Sequence, residues 1–94
     1  MLNNNPIQAN TPVQMFYVTD TSGKMTPLRF RYKNSEGEVK MASIEQVISR
    51  EECHFAGIDE RKIICTAMIE GDRVPLELRY HVNSQKWRVY QLLM

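Results

Sequence analysis

The tightest constraint on this chain lies in residues 73–93, where two alternating runs flank a short polar break. In RVPLELRYHV, Val74, Leu76, Leu78, Tyr80 and Val82 fall on one side, with Glu77, Arg79 and His81 on the other. A period of two sends alternate side chains to opposite faces of an extended strand, whereas on a helix it scatters them around the axis. NSQ (83–85) supplies turn-type residues and KWRVYQLL (86–93) alternates again, so the two runs are predicted to close as an antiparallel hairpin. An isolated hairpin is marginal in water, so the rest of the chain has to contribute further strands.

It does. MFYVTD (15–20) is aromatic and β-branched and ends at the turn-type cluster DTSGK. PLRFRYK (27–33) alternates, which predicts Leu28, Phe30 and Tyr32 on a buried face and Arg29, Arg31 and Lys33 on the opposite one. NSEGE provides a turn and VKMA (39–42) a return strand, giving a second hairpin over 26–42. KIICTAMIE (62–70) is apolar on both sides, the pattern of an interior strand buried on both faces. Between these, Ser43 and Gln46 have capping-box spacing, and Ile44, Val47 and Ile48 fall at i, i+3 and i+4. This predicts a two-turn helix, with an irregular strand crossing a barrel corner as the alternative. CHFAG (53–57) reads as a short strand and IDER as a turn.

Seven candidate strands and at most one short helix place the chain in the mainly β class, or α+β with that one helix. The expected architecture is a small curved antiparallel sheet or SH3-like barrel built from hairpins, because closure removes open sheet edges. Ninety-four residues suffice for one core and not two. Residues 1–14, without a charged side chain, are expected to form a flexible leader, and 15–94 a single domain.

The sequence bounds function mainly by what it lacks. No apolar run approaches the roughly 18 residues of a membrane-spanning helix. The first ten residues lack the basic and apolar segments of a secretory signal. Cys53 and Cys65 are too few for a disulfide scaffold, so a cytoplasmic location with reduced thiols is expected. Neither CxxC nor HxxxH spacing is present, and adjacent Cys53 and His54 point to opposite faces of a strand, so no metal site is predicted. No phosphate-binding glycine loop or nucleophile motif occurs, so no catalytic residue and no cofactor is predicted, and the chain is expected not to be an enzyme.

What remains is the distribution of charge. Twelve Lys and Arg face eleven Asp and Glu, so only clustering gives the cations a role. Arg29, Arg31, Lys33, Arg79, Lys86 and Arg88 form one basic surface if the two hairpins lie side by side, a surface suited to nucleic acid or an acidic partner. Glu36, Glu38, Asp72 and Glu77 are the carboxylates available to neutralise them instead. The competing expectation is a protein–protein adaptor or dimerisation domain without nucleic-acid binding.

The stretch LRFRYKNSEGEVK, with Phe30, Tyr32 and Gly37, resembles the opening of WYL-type domains, small Sm-like or SH3-like barrels of bacterial transcription regulators. HFAGID falls near that family's Tyr-Leu strand, and the likeness covers about residues 27–70. It implies a bacterial barrel module. The Trp-Tyr-Leu triplet and the family's characteristic ending are absent, so its ligand-binding arginines have no counterparts to carry over. The size and hairpin pattern also resemble YolD-like small bacterial proteins.

Overall fold

The computed structural model describes residues 6–93. Six strands, β1 (Thr11–Thr19), β2 (Met25–Lys33), β3 (Val39–Phe55), β4 (Ile58–Ile69), β5 (Asp72–His81) and β6 (Lys86–Leu92), are joined in sequence order and every neighbouring pair is antiparallel. The last strand returns to the first through Thr11↔Val89, Pro12↔Arg88 and Val13↔Trp87, which closes the barrel.

Local chemistry sets the turns. Asp20 Oδ1 accepts from the backbone N–H groups of Ser22 and Lys24, both at 2.9 Å. Asn34 Oδ1 accepts likewise from Glu36 and Glu38, at 3.0 and 2.9 Å. The same five-residue loop therefore joins β1 to β2 and β2 to β3, with Gly23 and Gly37 taking the positive φ it requires. Ala56-Gly57 and Glu70-Gly71 make two-residue turns in which both residues have positive φ, the arrangement that matches strand twist.

The interior is lined by Phe30, Tyr32, Ala42, Ile63, Cys65, Ala67, Ile69, Val74, Leu76, Leu78, Tyr80, Trp87 and Val89, all buried. Trp87 packs between Tyr17 and Tyr80, with ring centroids 5.2 and 5.1 Å away. Ile64, Thr66 and Met68 face outward and are half-buried, so β4 has one core face and not two. In a closed barrel the outer side of even a central strand meets solvent.

Register shifts mark where the sequence pattern misleads. Phe16 pairs with Arg29 and Tyr17 with Pro27, which leaves Leu28 as an extra residue. Two consecutive side chains then point outward: Leu28 is 46% exposed, and Pro27 and Phe30 are buried on either side of it. The expectation that Leu28 faces the core is corrected by this bulge. Two further bulges lie in β3, leaving Glu45 and Ile48 unpaired, and a fourth leaves Tyr90 unpaired in β6.

The β3 bulges also replace the expected helix. Ala42, Ile44, Val47 and Arg50 lie on the inner side, with a three-residue step at each bulge, and three-residue spacing is what a helix also produces. The irregular-strand alternative holds: 39–55 is one continuous strand, so the expected VKMA and CHFAG strands merge. IDER is the start of β4 and not a turn. Six strands result where seven were expected. Of the leader predicted over 1–14, residues 1–5 lie outside the described residues, Ile7 is buried in the core, and β1 begins at Thr11.

The bulge assigns different costs to neighbouring leucine and phenylalanine. Phe30→Ala is expected to lose about 3–5 kcal/mol of stability in urea unfolding, because it empties a fully buried site. Leu28→Ala is expected to stay within about 0.5 kcal/mol of the parent, as for exposed positions generally; a loss comparable to that of Phe30→Ala would contradict the bulged register.

Candidate functional site

The two cation-bearing hairpins are not neighbours. β1 separates β2 from β6 on one side of the barrel, and β4 separates β3 from β5 on the other. The six cations accordingly fall into separate groups with different electrostatics.

Arg79 and Arg88 pair directly across β5 and β6, and Glu60 of β4 bridges them. Arg88 donates to Glu60 through both terminal nitrogens, at 2.6 and 3.2 Å, and Arg79 donates at 3.1 Å. Arg79 Nε also donates to Glu77 at 2.6 Å, and Gln91 donates to the other Glu77 oxygen at 3.1 Å. Tyr90 lies beneath the pair, its ring centroid 4.4 Å from the Arg79 guanidinium and 5.6 Å from that of Arg88. Two arginines and two carboxylates cancel, and Glu77 is only 3% exposed. This is a neutral, half-buried clamp across three strands. Lys86, next to the β5–β6 loop, is exposed.

Arg29, Arg31 and Lys33 stand differently. They face outward in a row on β2, about 6.6 Å apart at strand spacing, and none has a carboxylate within 4 Å among the described residues. Phe16 of β1 lies opposite Arg29, and the guanidiniums of Arg29 and Arg31 both sit over its ring, at 4.8 and 5.7 Å. On the other flank, Met41 pairs with Arg31 and Val39 with Lys33, both apolar and exposed, 43% and 64%. Ser43 and Gln14 complete a strip across three strands with no acidic residue in it.

The remaining candidate chemistry is accounted for by local bonding. His54 Nδ1 lies 2.6 Å from Asp59 Oδ1 across the β3–β4 turn, and Asp59 with Glu52 raises the imidazole pKa. His81 Nδ1 lies 2.8 Å from Ser84 Oγ and accepts from the Ser84 backbone N–H, which orders the β5–β6 loop. Cys65 is fully buried, and desolvation pushes its thiol up to about 12, far from thiolate chemistry at neutral pH. Tyr32 donates to Glu70 at 3.2 Å, and burial pushes its hydroxyl up to about 12. Among the described residues no cluster of His, Cys, Asp and Glu is arranged to hold a metal ion. Nor is any helix among them long and apolar enough to cross a membrane.

No family model, curated protein or solved structure matches the chain. What the structure supports is the architecture alone, a six-stranded antiparallel barrel consistent with SH3-like barrels in general, and no homology to WYL-type domains or to the YolD-like group is shown.

Glu60 carries the clamp. Its carboxyl is held below the ordinary value of 4.5, chiefly by the hydrogen bonds from Arg88. A carboxylate with a lowered folded-state pKa stabilises above the unfolded value, and that contribution is lost as pH falls through the folded one. Glu60→Gln is expected to cost about 1–3 kcal/mol at neutral pH. The gap from the parent in urea unfolding should shrink as pH falls below 4.5.

Proposed function

We propose that the protein is a non-enzymatic binding module whose basic outer face, centred on β2, docks an acidic segment of a protein partner. The observation that carries this reading is the row Arg29, Arg31 and Lys33, unneutralised among the described residues and flanked by exposed Met41 and Val39. A phosphate backbone has no use for the apolar flank, whereas a peptide with acidic and apolar side chains engages both. Arginine, methionine and aromatic residues are also the types enriched at protein interfaces. Base stacking needs an open ring, and the one ring on this face, Phe16, is already covered by guanidinium groups. The occupied histidines and the deeply buried Cys65 support the non-enzymatic part of the reading.

A fluorescent peptide alternating Glu and Leu, and an oligothymidylate of equal charge, test this by anisotropy at about 50 and 200 mM salt. The peptide is expected to bind more tightly. Arg29→Ala with Arg31→Ala is expected to weaken it by at least about tenfold, since a hydrogen bond to a charged group contributes about 1.5–3 kcal/mol. Met41→Ala should weaken the peptide alone. Tighter binding of the oligonucleotide, with a steep salt dependence, would replace the protein partner by nucleic acid; binding of neither would overturn the docking face.

A second reading, self-association, rests on the tip of the β3–β4 hairpin, where Phe55 is 81% exposed and Ile58 lies opposite it at 47%. Light scattering at high concentration separates the two. A dimer dispersed by Phe55→Ser favours assembly, and a monomer removes that reading.

A further inference from the structure

β2 and β3 are paired at one end of the barrel only. Their register runs from Lys33↔Val39 to Arg29↔Ser43 and stops immediately before the first β3 bulge. Beyond that point β3 leans away with β4, and a seam opens between the start of β2 and the β3–β4 hairpin. A cleft of about 400 Å³ occupies it, with Met25 and Ile63 among its apolar lining and Ser22–Lys24 of the β1–β2 loop along one wall.

Four cations line this cleft, Lys24, Arg50, Arg61 and Lys62, against two carboxylates, Glu51 and Glu52. Glu51 is taken up by Lys62 of the same lining, 3.7 Å away, and Glu52 lies 3.6 Å from His54 outside it. Lys24, Arg50 and Arg61 have no carboxylate within 4 Å among the described residues. The two arginines are instead held by neutral oxygens. Arg50 donates from Nε to the Met25 carbonyl and from one terminal nitrogen to Thr26 Oγ1, both at 3.3 Å. Arg61 donates from one terminal nitrogen to the Gly23 carbonyl at 3.3 Å, its guanidinium 6.0 Å from the centre of the Tyr80 ring. Bonds to carbonyls orient a guanidinium without cancelling its charge, and each arginine retains N–H donors beyond those used. Orientation by the scaffold lowers the cost of ordering when an anion arrives.

We propose that the seam between β2 and the β3–β4 hairpin is a binding site for a phosphate-type group, held by Arg50, Arg61 and Lys24. Guanidinium forks match the paired oxygens of such a group, and Lys24 adds a mobile point charge at the rim. The site is separate from the outer face of β2, so it stands or falls independently of acidic-partner docking. A free phosphorylated small molecule and a phosphorylated side chain share the chemistry, and two ligands distinguish them.

Backbone amide shifts of ¹⁵N-labelled protein are followed during titration with inorganic pyrophosphate and, separately, with a short phosphoserine peptide, at constant ionic strength. Saturable shifts are expected at Gly23, Lys24, Glu51 and Arg61 with at least one of them, and the tighter ligand identifies the source. Lys24→Gln, whose side chain makes no bond in the fold among the described residues, is expected to weaken binding by about tenfold, the effect of removing one charge-assisted hydrogen bond. Arg61→Gln should weaken it further, and Arg31→Gln on the outer face should leave it unchanged. Linear, unsaturated shifts with both ligands, or binding indifferent to Lys24→Gln, would overturn the site.

Discussion

The structure depends on the conflict between one long strand and a small closed barrel. β3 has seventeen residues, more than the barrel wall can use, and a regular strand of that length has no way to follow both neighbours. The bulges at Glu45 and Ile48 resolve the conflict by adding twist twice within four residues. Before them β3 belongs to the wall, between β2 and β4. After them it pairs with β4 alone and carries the hairpin tip outward. Closure of the core and opening of the seam are two results of the same distortion.

Charge follows from that geometry. Strand order decides which cations meet carboxylates, and the barrel distributes them unevenly. On β5 and β6 the arginines converge on Glu60 and Glu77 and are used up in holding three strands together, with Tyr90 as their floor. On β2 the equivalent side chains look across at Gln14, Phe16, Ser43, Met41 and Val39, none of which carries a negative charge. Two sets of cations that look alike in sequence therefore sit in opposite surroundings, one neutralised by carboxylates and one with no carboxylate within 4 Å among the described residues.

Much of the fold was legible because period-two patterns are hard to mistake where the strand is regular. Val74 to Tyr80 and Phe30 with Tyr32 all face the core as their alternation requires, and both loops built on Asp20 and Asn34 sit where the turn residues cluster. Legibility fails at the bulges. An extra residue converts a step of two into a step of three, which hid Leu28's exposure and made Ile44, Val47 and Ile48 look helical. The candidate site was half legible for a different reason. Which cations share a strand face can be read from spacing, but neutralisation by Glu60 is a contact over nearly twenty residues to Arg79 and nearly thirty to Arg88, set by strand order. The seam left no pattern at all, since Lys24, Arg50 and Arg61 come from three elements and converge only because pairing between two strands stops.

Whether an acidic partner sits on the outer face of β2 is tested most directly by mapping amide shifts during titration with a mixed acidic and apolar peptide. Such a map locates the contact without any substitution. Perturbations are predicted to be confined to 14–16, 29–33 and 39–43, on the three strands that form the acid-free strip. Perturbations centred on Arg79 and Arg88, or spread evenly over the barrel, would contradict docking at that face.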